Sequence, residues 1–222
     1  MSILPDIYGR VLEPAAAAFG VRSKQMIPRL IGLLLLALLS ACSEAAEIQD
    51  GDIIFHRSQS RQAKAIAAAT KSDYTHMGII FFVNDEPFVY EAIQPVTRTP
   101  LHEWIGRGAG GHFVIKRLKV SDGVDFSKVK NEVLQLMGRD YDWLFEWSDR
   151  KIYCSELVWK AYERGADVRI GSLKKLGDFD LTSPLVRQIM RERYGARIPV
   201  DMDVIAPSDM FDSAKLVTIQ KQ

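Results

Sequence analysis

Cys154 stands in the stretch Lys151-Ile152-Tyr153-Cys154-Ser155-Glu156-Leu157-Val158-Trp159. Leu157, Val158, Ala161 and Tyr162 recur at i, i+1, i+4 and i+5, one buried face of a helix, and Gly165 marks its expected end. Cys154 then falls in the first turn, where the helix dipole and unpaired backbone N–H groups favour thiolate. The same position also suits a small buried hydrophobe, because free cysteines are among the most buried residues. A nucleophilic cysteine needs a base, and the base needs a group that orients it.

Four histidines are available: His56, His76, His102 and His112. His76 stands at the start of the most apolar strand and adjoins the polar segment Ser72–Thr75, so it sits at a sheet rim on a rigid element. An ordinary imidazole titrates near neutrality, as a base at that pH requires. His56 is the second choice, at the end of a short strand. His102 and His112 fall in expected loops. Each histidine also has a purely structural reading, pairing a backbone carbonyl.

Glu91 is the one acid inside the apolar run Phe88–Ile93, and a buried carboxylate needs a partner. Hairpin counting sets a difficulty. If Val83 faces Phe88, Glu91 and His76 share a face but are four residues out of step. That is about 13 Å at roughly 3.3 Å per residue. A β-bulge or strong twist has to close the gap.

The surrounding elements follow from periodicity and turn residues. Ile53–Phe55 reads as a strand, 58–70 as an alanine-rich helix, and Thr75–Val83 as a central strand. Asn84–Pro87 is a turn, and Phe88–Ile93 returns as the second arm of a hairpin. Thr97–Pro100 reads as polar and irregular, Leu101–Ile105 as one helical turn, and Gly106–Gly111 as a flexible glycine-rich connection. Phe113–Leu118 is a strand and Phe126–Met137 an amphipathic helix. An aromatic segment, Asp140–Trp147, then leads into the cysteine helix. Ser183–Tyr194 is a capped helix with Pro184 in its first turn. A short turn follows Pro207, and Leu216–Ile219 is a last strand. Helices packed on a mostly antiparallel sheet make this an α+β fold.

The 222 residues carry a formal net charge of +1, which gives no electrostatic case for nucleic acid. No CxxC or Cys/His cluster has metal-ligand spacing, so neither a metal nor another cofactor is expected. Residues 1–41 read as a signal peptide: Arg22, Lys24 and Arg29 precede the apolar run Leu30–Leu39. That run is shorter than the roughly 20 residues a bilayer span needs. Met26 is a plausible true start, making 1–25 a start-site extension. Leu39-Ser40-Ala41-Cys42 resembles a bacterial lipobox, with Cys42 the lipidated residue. The alternatives are ordinary cleavage near Ser43–Ala45 or an uncleaved anchor. Residues 42–50 are then a lipidated tether and 51–222 the folded domain. Ser43 in place of an inner-membrane retention aspartate implies a periplasm-facing lipoprotein of the outer membrane. With Cys42 lipidated, Cys154 has no disulfide partner and is a candidate reactive thiol.

Four groups of residues in order resemble the YiiX-like cysteine hydrolases, a circularly permuted branch of the NlpC-type, papain-like peptidases. They are Gly51-Asp52-Ile53-Ile54-Phe55, Ser72-Asp73-Tyr74-Thr75-His76-Met77-Gly78, Tyr90-Glu91-Ala92 and Tyr153–Trp159. Phe179-Asp180-Leu181 and Arg193-Tyr194-Gly195 extend the likeness to past Phe211. The resemblance implies a permuted papain-like fold, with Cys154 as nucleophile, His76 as base and Glu91 as the orienting group, and a bulge in the hairpin. It also implies that the Cys154 backbone N–H serves the oxyanion. Tyr153, Tyr74 and Asp52 become pocket or support residues. The expected activity is cleavage of an amide or ester bond through an acyl-enzyme. The expected substrate is a peptide, amide or acyl compound, peptidoglycan-type peptides first. Acyl transfer or lipid deacylation by the same three residues is the alternative, and a peptide-binding module without activity is the third reading.

Overall fold

The computed structural model describes residues 46–222. The leader, the start-site question and Cys42 lie outside the described residues. Within the tether, Asp50 is already fastened to the sheet: its Oδ1 accepts from the Phe82 backbone N–H at 2.7 Å.

Strand β1 (Ile53–His56) is followed by helix α1 (Arg61–Thr70), β2 (His76–Val83), β3 (Glu86–Ala92), β4 (Val96–Pro100) and α2 (Leu101–Gly106). Then come β5 (Phe113–Leu118), α3 (Phe126–Leu136), the two-residue strands β6 (Asp140–Tyr141) and β7 (Lys151–Ile152), and α4 (Cys154–Ala166). The chain ends with β8 (Lys174–Lys175), α5 (Pro184–Tyr194), β9 (Asp203–Val204), α6 (Pro207–Phe211) and β10 (Leu216–Lys221). Six strands form one sheet in the order β10-β5-β1-β2-β3-β4, and every pairing in it is antiparallel. The α+β class expected from the pattern is what the chain adopts.

The apolar run of β2 follows from burial on both faces. Met77, Ile79 and Phe81 pack with α3 and α4, while Ile80 packs on the other face with Ile54, Val89 and Trp104 of α2. A strand covered on both sides cannot alternate apolar with polar. Helix α4 crosses close to α3, and Gly165 permits it: a Cβ there would lie 2.6 Å from the backbone of Val129. Gly165 is therefore a contact inside the helix, not its stop. The chain leaves α4 at Asp167, in the left-handed region at φ 53°.

Two expectations change. Val96–Pro100 is a strand on the sheet edge, paired with β3 only, so its polar residues are tolerated. The hairpin turn between β2 and β3 has two residues rather than four. Asn84 and Asp85 both take positive φ (51° and 65°), as a type I′ turn requires, and Val83 pairs with Glu86. The register therefore differs by two residues from simple counting. An even shift keeps every side chain on its face. Continued past Ile79–Tyr90, the ladder brings Glu91 level with Gly78, so His76 is a diagonal neighbour two residues away. The paired ladder from Ile79–Tyr90 to Val83–Glu86 has no bulge; a register shift in the sheet lies between Thr218 and Gln220, where β10 meets β5. Gly78 adds to the fit, since a Cβ there would fall 2.4 Å from Val89 Cγ1 and 2.7 Å from the Tyr90 carbonyl.

Candidate active site

Cys154 is the first residue of α4 and is 3% exposed. Two bonds fix the helix start. The Ser155 hydroxyl donates to the Ile205 carbonyl at 2.7 Å, and the Tyr153 hydroxyl accepts from the Ile205 N–H at 3.1 Å. The aromatic loop before α4 is held down by Lys160, which donates to the Ser148 carbonyl, Asp149 and Glu156 and lies 4.8 Å from the Trp147 ring centre. Burial pushes the Glu156 carboxyl up to about 8, with Lys160 working against that rise.

His76 opens β2. Its Nε2 lies 2.6 Å from Glu91 Oε2, and the Cys154 thiol also acts on the ring. Its side chain is 12% exposed. Burial opposes the charged ring, but the thiol and Glu91 outweigh burial and raise its pKa to about 10.

Glu91 is fully buried and has donors at both oxygens. Oε2 accepts from His76 and from Trp104 Nε1 at 3.0 Å; Oε1 accepts from Thr99 Oγ1 at 2.6 Å and from Arg107. Burial alone would raise this carboxyl. The hydrogen bond and charge of His76, then Thr99 and Arg107, pull it down to about 2. A carboxylate so engaged is a fixed counter-charge for an imidazolium. Thr99 comes from the strand read as irregular, and Arg107 from the loop read as a flexible connection.

His56 faces His76 across β1 and β2, with ring centres 5.3 Å apart. It stacks on Trp104 at 3.9 Å, is 2% exposed, and its Nδ1 has no hydrogen-bond partner. Burial, then the charge of His76, lowers its pKa to about 3. It is a neutral packing partner behind the charged ring. Of the other expected support residues, Tyr153 lines the cavity beside Cys154. Asp52 instead binds Arg117 (2.7 and 2.8 Å) and the Gln49 N–H, anchoring β1 to β5. Tyr74 stacks on Phe211 at 3.7 Å in the core and lines neither cavity described below.

Two cavities share the walls formed by Gln62, Ile66 and Tyr141, one reaching Cys154 and the other His76. One, partly open, has a volume of about 80 Å³ beside Cys154, and its walls are mostly apolar: Ala65 and Ala69 of α1, Phe145, Leu176, Val186 and Met190 among them. The other is an open cleft of about 450 Å³ beside His76, where Ser58, Ser60, Gln62, Gln94 and Arg107 stand among apolar groups such as Ile66, Ile93 and Trp143, so it is the more polar of the two. Tyr141 and Gln62 line both. The parallel β6–β7 bridge places Tyr141 beside Ile152, two residues before Cys154. The Tyr141 hydroxyl accepts from Gln62 Nε2 at 2.8 Å. Burial, then the charge of Cys154, holds its pKa well above that of an ordinary phenol, so it keeps its proton.

A cysteine at a helix start, facing a histidine that a carboxylate orients from the sheet, defines the papain-like class of thiol enzymes. Comparison with known proteins narrows the class. The model of the permuted papain-like amidase family YaeF/YiiX, C92, matches residues 47–220, and the chain belongs to that family. The uncharacterized protein YiiX of Escherichia coli K12 is 41% identical over 191 residues, covering 86% of this chain and 95% of its own. A crystal structure titled metalloprotein yiiX, from Escherichia coli O157:H7, has a TM-score of 0.76 and 42% identity, covering 80% of this chain and 99% of its own. The family makes this chain a cysteine hydrolase of amidase type. Among the described residues, no three His, Cys, Asp or Glu side chains group as metal ligands. Both Glu91 oxygens are taken by donors, so this donor set does not suit a cation.

Proposed function

We propose that this protein hydrolyses an amide or ester that joins an apolar acyl group to a polar leaving group. Cys154 sulfur attacks the carbonyl carbon, and the carbonyl π electrons move to oxygen. The Cys154 backbone N–H at the helix start and the Tyr141 hydroxyl stabilise that oxyanion. His76 then gives its proton to the leaving nitrogen or oxygen, the C–N or C–O bond breaks, and a thioester remains. His76 next takes a proton from water, the hydroxide attacks the thioester, and the acid leaves as Cys154 sulfur is restored. Glu91 keeps the imidazole oriented throughout.

The observation that carries the substrate side is the contrast between the two cavities. An apolar chain gains about 25 cal/mol for each Å² it buries. A charged or hydroxylated leaving group suits the polar cleft beside the proton donor. A peptidoglycan-type peptide is the second reading; it rests on the polar cleft alone. Purified protein incubated with octanoyl amides, octanoyl esters and muropeptides, with products read by mass, decides between them. Turnover of the octanoyl compounds supports the first reading, and turnover of muropeptides alone refutes it. Hydroxylamine in the same assay separates transfer from hydrolysis, because a transferase delivers the acyl group to the added amine in preference to water.

Lipid anchoring at Cys42 on the periplasmic face of the outer membrane belongs to the same proposal. It rests on the lipobox and on Ser43 after it. Palmitate labelling of the wild type, lost in Cys42→Ser, is the expected result.

A further inference from the structure

Arg193 lies in α5, Gln62 in α1 and Tyr141 in β6, and hydrogen bonds join all three. Arg193 Nη2 donates to Gln62 Oε1 at 2.7 Å, and Gln62 Nε2 donates to the Tyr141 hydroxyl at 2.8 Å. The Arg193 guanidinium rests over the Phe145 ring, 4.7 Å from its centre. Arginine has no acceptor, so it can engage only the oxygen of the Gln62 amide. That fixes the amide: its NH₂ must face Tyr141. A hydroxyl that receives a donor on its oxygen directs its own proton elsewhere. Tyr141 borders both cavities, and the Cys154 charge acts on it.

We propose that Arg193 and Gln62 are positioning residues that fix the Tyr141 hydroxyl as a one-way donor toward the carbonyl oxygen of the bound acyl group. The proposal rests on the thiol reading above and adds to it a polarity set from outside the site. It also gives Arg193, within the resemblance motif Arg193-Tyr194-Gly195, a role at the reacting carbonyl, although the residue lies far away in sequence.

The test needs no turnover. Octanal adds reversibly to a cysteine sulfur: an S–C bond forms, the C=O π bond opens, and the oxygen becomes the atom Tyr141 contacts. Protection of Cys154 from iodoacetamide by octanal therefore reads the stability of that adduct. Iodoacetamide alone has no oxyanion and reads only the Cys154–His76 pair. Gln62→Glu keeps the size and the Arg193 bond but presents an acceptor to Tyr141, so the hydroxyl turns round. The expected result is that protection by octanal needs about 10²-fold more aldehyde in Gln62→Glu, the cost of one oxyanion donor. Gln62→Met, which leaves the hydroxyl free to rotate, needs less of an increase. The melting temperature of Gln62→Glu stays at or above that of wild type, and labelling without octanal is unchanged in both variants.

If Gln62→Glu is protected as well as Gln62→Met or better, the relay is wrong and the thiol reading stands. The same holds if labelling without octanal falls along with protection. If octanal does not protect the wild type at all, the acyl reading falls together with the relay.

Discussion

His56 and His76 stand opposite each other on neighbouring strands, yet one ring is neutral and the other charged. Residue type, strand position and distance from the sheet end are almost the same. What differs is the Cys154 thiol and direct contact with one carboxylate. His76 reaches Glu91, and Glu91 is itself supplied with donors at both oxygens. His56 reaches the face of Trp104, and its Nδ1 has no partner. A buried imidazole becomes a cation only where a fixed negative charge exceeds the cost of burial. The charge on His76 is thus set by its partners and by the partners of Glu91.

The comparison breaks most sharply by removing each ring in turn. His76→Ala is expected to slow acyl hydrolysis about 10³-fold, within the range of positioned proton transfer. It also removes neutral-pH alkylation of Cys154, whereas His56→Gln changes alkylation by no more than about threefold. A reversed order in an iodoacetamide time course would move the base to His56. Glu91→Gln is next, with a loss of about 10²-fold in kcat measured on the same ester, because the amide can donate into Nε2 and reverse the imidazole. A rate within twofold of wild type would strip Glu91 of its orienting role.

Thr99→Val removes one donor from Glu91 without changing its shape. It should lower stability by about 1.5–3 kcal/mol in urea unfolding, the worth of one hydrogen bond to a charged group, with Arg107 still donating to the same oxygen.

The last effect is the pH dependence of stability, and its sign differs for the two rings. His56 has a folded pKa of about 3 against 6.5 for the free side chain. Stability therefore falls as pH drops from 6.5 toward 3, by up to about 1.4 kcal/mol per pH unit. His76 has a folded pKa of about 10 against 6.5. Its contribution is complete below 6.5 and is lost as pH rises toward 10. Urea midpoints should show His56→Gln flattening the acid limb and His76→Gln the alkaline limb. Glu91, held at about 2, adds an acid slope below 4.5 that remains in the His56 variant. Equal limbs in both variants would erase the contrast.

The sequence carried the sheet, the cysteine helix and the histidine at the strand start, because each rests on local periodicity. Glu91 was legible as an acid inside an apolar run. Its other donors were not. Thr99 lies in Val-Thr-Arg-Thr-Pro, which looks like a loop because an edge strand pairs on one side and tolerates polar residues. Arg107 follows a helix too short to show a period. Tyr141, Gln62 and Arg193 are 79 and 131 residues apart along their bonded pairs, so no window contains them. The alanines of α1 read as helix formers. Ala65 and Ala69 also wall the apolar cavity, and small side chains that leave space look like small side chains that merely fit.

The type I′ turn at Asn84-Asp85 has a further consequence. Strand faces alternate, so one inserted residue at that tip would rotate the Glu91 carboxyl through the sheet and strand the imidazole without a counter-ion, while the turn itself stayed exposed and tolerant. Two inserted residues would restore the facing but place the carboxyl a full pleat too far along. Loop length at a remote surface tip thus governs chemistry as surely as any ionisable group, and libraries that vary only side chains will never sample that control.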